Sequence, residues 1–219
     1  MKIEVVQKVL KVNDEIAQVV RTRLQAARVA CVNMISAPGS GKTSLIEAAL
    51  RRMPGRPSLG VIEGDPETML DAERIAACGA PVVQINTVGG CHLEANLVNQ
   101  ALDRLDLTGL DLLIIENVGT LVCPVGFDLG ESRRVAVVSV TEGHDKPAKY
   151  PKLFRTADVV VLNKIDLLPH VDFDVEAFRG YVLGLKPGVP ILEVSCRTGA
   201  GVDAWCAWLI ETAQTGTGA

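Results

Sequence analysis

Seven short aliphatic runs recur along the chain, at 29–35, 58–63, 81–86, 111–116, 134–140, 158–163 and 190–195. Most are near-continuous in Val, Ile and Leu instead of alternating with polar residues, as strands covered on both faces require. Helical spacing fills 42–52, 66–78, 92–105, 147–155 and 173–184 between them, and 202–213 after the last. This alternation predicts an α/β fold, a mostly parallel seven-stranded sheet with crossover helices on both faces. Upstream, Val9, Val12, Ile16, Val19, Val20 and Leu24 follow a helical stripe across 3–27. Asn13-Asp14 predicts a break in it, with either residue capping the second piece. The expected organisation is an N-terminal helical segment, 1–28, packed on a domain spanning 29–213, with a disordered tail at 214–219.

Composition narrows the function. A length of 219 residues suits one α/β domain, and 48% hydrophobic with 4% aromatic content means an aliphatic core. A net charge of −4 with no basic stripe argues against a nucleic-acid partner. No apolar run reaches the length of a membrane span, and the opening MKIEVVQKVL lacks the pattern of a signal peptide. The six cysteines show no C-x-x-C pair and no framework spacing. A reducing cytoplasm is the expected setting, with thiols free for metal.

The first run ends in Ser36-Ala37-Pro38-Gly39-Ser40-Gly41-Lys42-Thr43-Ser44 and enters a helix. Strand, Gly-rich turn, Lys-Thr and helix make a phosphate-binding loop. Gly39, Ser40, Gly41 and Ser44 would surround the phosphates with backbone N–H groups, and Lys42 would add a full positive charge. The Thr43 hydroxyl is placed to ligate Mg²⁺. Ser36 stands where the usual motif has its first glycine.

Two later strand ends extend this site. Leu112-Leu113-Ile114-Ile115 ends in Glu116-Asn117-Val118-Gly119. A carboxylate there can act on Mg²⁺ or its water, and the Gly119 N–H can reach a γ-phosphate. Asp65 closes the second run, where open α/β sheets bind ligands. It reads either as a Mg²⁺ and catalytic group beside Lys42 and Glu116 or as the cap of the next helix, with Pro66 at the first helical position. Asn163-Lys164-Ile165-Asp166 closes the sixth run. The Asp166 carboxylate can accept from guanine N1–H and the 2-amino group, two donors that adenine lacks. Lys164 would lie over the base and Asn163 would tie this loop to the phosphate loop. Ser195-Cys196-Arg197 after the last strand reads as a second base-contacting loop or as a plain strand-to-helix turn.

A thiol and an imidazole adjoin at Cys91-His92, by an expected helix start, and Cys123 lies four positions after Gly119. Two sulfurs and one nitrogen suit Ni²⁺ or Zn²⁺ and are poor Mg²⁺ ligands. A fourth position is left for water or a second subunit. Cys31, Cys78 and Cys206 read as core or structural thiols.

Together these motifs resemble the HypB GTPases of nickel–iron hydrogenase maturation, from about Val9 to Leu209. The most specific stretches are Cys91-His92-Leu93-Glu94-Ala95 and Glu116-Asn117-Val118-Gly119-Thr120-Leu121-Val122-Cys123-Pro124. Ser139-Val140-Thr141-Glu142-Gly143 and Asn163-Lys164-Ile165-Asp166-Leu167-Leu168-Pro169 add to them, and Ser36 before Ala37-Pro38-Gly39 fits the same family. The resemblance implies a P-loop fold of the SIMIBI class, GTP and Mg²⁺ as cofactors, slow GTP hydrolysis and a GTP-dependent homodimer. It places Ni²⁺ or Zn²⁺ on Cys91, His92 and Cys123. It implies nickel delivery to a hydrogenase large-subunit precursor, with other maturation factors as partners. With three histidines in all, no His-rich nickel-storing segment is expected. Other readings are a urease or cobalamin-enzyme chaperone of the same class, and a metal store with vestigial GTPase activity. Urease chaperones carry Cys-Pro-His, whereas Val125 follows Cys123-Pro124 here.

Overall fold

Every aliphatic run forms a strand, and all seven pair in parallel. The strands of this computed structural model are β1 Ala30–Ser36, β2 Leu59–Asp65, β3 Val82–Asn86, β4 Leu112–Glu116, β5 Arg133–Ser139, β6 Val159–Asn163 and β7 Ile191–Val194. Their order is β3-β2-β4-β1-β5-β6-β7. It describes residues 4–65 and 67–216. Residues 1–3, Pro66 and 217–219, and the side chains of residues 4–9, Val9 among them, lie outside that description.

β1 is the middle strand. It pairs with β4, Ala30 opposite Leu112, and with β5, Val32 opposite Arg133. The chain order reverses on either side of it, so its C-terminal end opens at a topological switch point. Side chains alternate between the two faces. Val32 and Met34 join a core with α2 (Lys42–Arg52) and α8 (Val202–Gly216) on one face. On the other, Cys31 packs under α1 (Glu4–Ala27) and α4 (Ala95–Leu102), and Ile35 under α6 (Pro151–Thr156) and α7 (Val175–Leu185). Trp205 of α8 is fully buried, and its indole N–H donates to Leu45 O of α2 at 3.2 Å. Among the described residues the remaining α-helices are α3 (Leu70–Ala77) and the single turn α5 (Lys146–Lys149), with short 3₁₀ helices at Pro124–Gly126 and Ile165–His170.

Five helical expectations change. α1 runs unbroken through Asn13-Asp14. Asn13 does not cap; its buried amide donates to Asp128 O at 2.8 Å and accepts from Ala95 N at 2.9 Å. The buried stripe of α1 is accordingly Asn13, Ala17, Val20 and Leu24, and Val12 and Val19 face out. α3 starts at Leu70, because Asp65 Oδ1 accepts from the N–H groups of Glu67 and Thr68 and keeps these two residues out of the helix. α4 starts at Ala95; positive φ at Val88 and Gly89 commits the preceding residues to a loop. The stretch 147–155 divides at Tyr150, where Pro151, lacking an N–H, opens a new helix. At the C-terminus α8 continues through Gly216, so 214–216 are helical and not tail. Among the described residues no helix is long and apolar enough to cross a membrane.

Candidate functional site

The C-terminal ends of β1, β2, β4, β6 and β7 bring the expected nucleotide residues together. Gly41 caps α2 in the left-handed region, φ 98°, with no side-chain cap, which leaves the first helical N–H groups free for an anion. Gly41 also has no room for a side chain, since a Cβ there would lie 2.4 Å from Asn163 Nδ2. That amide donates to Ser40 O at 2.9 Å, and Lys164 Nζ donates to Gly39 O at 2.6 Å. The sixth-strand loop is thus fastened to the phosphate loop by both residues. Ser36 has a use that glycine could not serve: its hydroxyl accepts from Lys42 Nζ at 3.1 Å and donates to Ala37 O at 2.7 Å. Lys42 is therefore drawn down into the loop and buried, not held out toward solvent.

Asp166 is aimed by Ser195, whose hydroxyl donates to Asp166 Oδ1 at 2.6 Å. Asn163, Lys164, Asp166, Cys196 and Arg197 line one cleft with Gly41 and Ser44. The Ser195 turn also closes on itself, Gly199 N donating to Ser195 O at 2.9 Å, so it serves both as strand-to-helix turn and as cleft wall. Burial, with the charges of Glu47 and Asp166, pushes the Cys196 thiol up to about 11, so it stays protonated. Its Sγ faces Asn163 Oδ1 at 3.8 Å.

Glu116 stands over the phosphate loop. Its Oε1 accepts from the Thr43 hydroxyl at 2.8 Å, while Oε2 is buried without a partner. Such an atom costs about 1–3 kcal/mol unless something fills its coordination. Burial raises the Glu116 carboxyl, opposed chiefly by Lys42 and the Thr43 hydrogen bond. Glu63 sits opposite it in register on β2. Burial first, then the charges of Glu116, Asp65 and Asp71, push Glu63 up to about 8. Glu63, Asp65 and Asp71 bring oxygens within 4.8 Å of one another. Gly119 closes the turn that follows Glu116 against the phosphate loop, where a Cβ would lie 3.0 Å from Pro38 Cα.

Cys91, His92 and Cys123 meet beside this turn, their donor atoms all within 4.8 Å of one another. Cys91 Sγ lies 3.5 Å from His92 Nδ1, and the His92 ring stacks on Phe127 at 4.0 Å between centroids. His92 Nε2 is buried with no hydrogen bond. The hydrogen bond with Cys91, followed by desolvation, raises the Cys123 thiol. Cys31 and Cys206 are buried and Cys78 is half-buried.

The comparisons with known proteins decide the family. The model of the CobW/HypB/UreG nucleotide-binding domain matches residues 31–193. The hydrogenase maturation factor HypB of Azotobacter vinelandii is 52% identical over 203 residues, covering 93% of this chain and 67% of that protein.

The chain belongs to the HypB family.

HypB of Escherichia coli K12 is 46% identical over 207 residues, covering 94% of this chain and 71% of its own. Among solved structures, HypB of Archaeoglobus fulgidus superposes with a TM-score of 0.87 at 39% identity, covering 93% of this chain and all of that one (100%). HypB of Helicobacter pylori, solved in complex with nickel, gives 0.89 at 35% identity, covering 93% of this chain and 95% of that one. The HypB-family fold is thus present from the first strand to the last helix.

Three residues of the site went unassigned in the sequence. Glu142 is half-buried in the β5–α5 connection; its Oε1 accepts from Ser40 Oγ at 2.6 Å and Ser139 N at 3.0 Å. A carboxylate three positions past a strand end next to the phosphate loop was the available signal. Asn117 lay inside a motif already quoted and Glu63 ends the second aliphatic run, but their partners lie elsewhere along the chain.

Proposed function

We propose that the chain is a GTP-hydrolysing metallochaperone that delivers nickel to a nickel–iron hydrogenase precursor, with metal affinity set by nucleotide state. One observation carries this reading. The Cys91, His92 and Cys123 donors converge beside the turn that joins Glu116, on the Thr43 hydroxyl, to Gly119, on Pro38.

In this reading Gly39, Ser40, Gly41 and Ser44 surround the phosphates, and Lys42 offsets charge as the terminal phosphoryl bond breaks. Asn163, Lys164 and Asp166 select guanine, with Ser195, Cys196 and Arg197 walling the cleft. The hard-oxygen set at the strand ends fits Mg²⁺, for Glu116 Oε2 is buried and unpartnered beside the Thr43 hydroxyl. Thr43, Asp65 and Glu116 would hold the ion, which when bound supplies charge neutralisation on the terminal phosphates. Asp65, Glu116 and Lys42 form the catalytic group, and Gly119 offers its N–H to the γ-phosphate.

Nickel is the cargo. Two thiolates and an imidazole bind it once deprotonated, and zinc suits the same donors. The fourth position falls to water or to the second subunit of a GTP-dependent homodimer. In this reading the N-terminal segment of 1–28, of which Glu4–Ala27 form α1, is an appendage on the GTPase domain of 29–213. The protein works in the cytoplasm with other maturation factors and the large-subunit precursor.

Phosphate release from GTP and from ATP, with and without Ni²⁺, tests the enzyme. GTP turnover that is slow, magnesium-dependent and preferred over ATP is expected. Complementation of a strain lacking its own factor, scored by hydrogenase and by urease activity, tests the target. Rescue of urease alone would move the chain to the urease chaperones.

A further inference from the structure

One buried amide joins the nucleotide half of the site to the metal half. Asn117 is 1% exposed and directly follows Glu116. Its Oδ1 accepts from Leu93 N at 3.3 Å and from Val118 N at 3.0 Å. Its Nδ2 donates to Asn33 Oδ1 of β1 at 3.2 Å, and Asn33 in turn donates to Glu131 Oε1 at 3.3 Å. Leu93 is the residue after His92.

Leu93 is held from the β2 side as well. A Cβ on Gly64 would lie 2.9 Å from both Leu93 methyl carbons, so the leucine is seated on bare backbone. The next residue, Asp65, accepts from Thr87 N through its carbonyl at 3.1 Å. The segment that carries Cys91 and His92 is therefore tied to the ends of β2 and β4, the two strand ends that face the phosphates. Cys123 lies six positions beyond Asn117 on the same chain. Both arms of the metal site thus hang from the turn that begins at Glu116.

We propose that Asn117 is a positioning residue that transmits the state of the phosphate-sensing turn to the Cys91–His92 segment and so sets the difference in metal affinity between nucleotide states. This rests on the coupling of nickel and nucleotide proposed above. The physical reason is the dryness of the link. Leu93 N and Asn117 are shielded from water, so a shift of the 116–119 turn either carries Leu93 along or strands its N–H without an acceptor. Gly119 is pressed against Pro38 with no spare volume, so an added γ-phosphate acts on this turn at close range.

Two measurements test it. In nitrogen-15-labelled wild-type protein, the Leu93 amide should exchange with solvent at rates differing by about tenfold or more between the GDP and GTP-analogue states. Equal rates overturn the proposal, with no variant needed. Nickel affinity is then titrated in both states for wild type, Asn117→Leu and Asn117→Asp. Coupled sites usually differ by about 5- to 150-fold. That ratio should fall to within about twofold of unity in Asn117→Leu and be largely kept in Asn117→Asp, which retains the acceptor for Leu93. A purely structural residue would lower both affinities by one factor and leave the ratio intact, which overturns the relay alone. A wild-type ratio of one removes the coupling, and the relay with it.

Discussion

The nucleotide half and the metal half of the site are built to different standards of rigidity. Phosphate-loop side chains are sunk into the sheet end: Ser36, Ser40, Lys42, Thr43, Glu116 and Asn163 are all buried, and each holds a hydrogen bond. The metal half rides on loops. Cys91 is exposed, and Val88 on its loop and Val122 beside Cys123 are 88% and 64% exposed. Its thiols rest against each other and an imidazole. A group that must stabilise a transition state gains from being fixed in advance. A group that must release an ion gains from ligands that can separate. In the proposed function, a rigid nucleotide grip and a loose cargo grip belong to one device, joined through the Glu116–Gly119 turn.

The sharpest way to break that contrast is to empty one half and ask whether the other notices. Lys42→Ala should lower GTP turnover by about 10²- to 10³-fold or more, since a preorganised charge is lost from the reacting phosphate. Folding should survive, because among the described residues Lys42 Nζ bonds only Ser36 Oγ, which keeps its own bond to Ala37 O. Unchanged turnover in a well-folded variant would put the active site elsewhere.

In the loose half, Cys91→Ala and Cys123→Ala should each lose most nickel binding, and the double variant all of it. GTP affinity should stay within about twofold, as neither thiol touches the phosphate loop. Nickel binding should also weaken as pH falls, because thiols and imidazole must shed protons to ligate. Calorimetry on the double variant decides the matter; retained binding would mean a different site.

Base selection belongs to the rigid half and should show a graded effect. Asp166→Asn exchanges an acceptor for a donor and should weaken GTP by about 10- to 100-fold, the worth of hydrogen bonds to a charged group. Xanthosine triphosphate should recover part of that loss. Equal ATP and GTP affinity in wild type would remove the argument.

The smallest effect concerns Glu63. Its folded pKa of about 8 lies above the ordinary 4.5, facing Glu116, Asp65, Asp71 and Lys42. The folded state holds the proton that the unfolded state releases, so stability without Mg²⁺ is full below about 4.5 and declines as pH rises toward about 8. Glu63→Gln should flatten that decline in urea unfolding measured across the window. A wild-type curve rising with pH there, with the same slope in the variant, would contradict the assignment.

The rigid half was also the more legible one. Its strands are unbroken aliphatic runs, and its chemistry sits in local motifs whose spacing carries the geometry: Gly39 to Ser44, and Asn163 to Asp166. What stayed hidden depends on partners far along the chain. Asn13 looked like a cap because an amide favours helix ends, yet it meets Asp128 and Ala95, over eighty positions away. Asn117 and Glu63 gain meaning only when β1, β2 and β4 lie side by side. Glu142 does so when β5 brings it to Ser40. Helix starts at Leu70 and Ala95 were misplaced because a side-chain-bonded turn and a positive-φ loop hold the residues before them.

The central claim is that one turn couples the two halves, and nickel titration into wild-type protein tests it directly. The protein is loaded with GDP, then with a non-hydrolysable GTP analogue, and the nickel affinity is measured by calorimetry in each state. The account predicts affinities that differ by at least about fivefold, with the same ratio recovered when nucleotide affinity is measured with and without nickel. Identical nickel affinity in both states would contradict it, even with Cys91, His92 and Cys123 proven as the ligands.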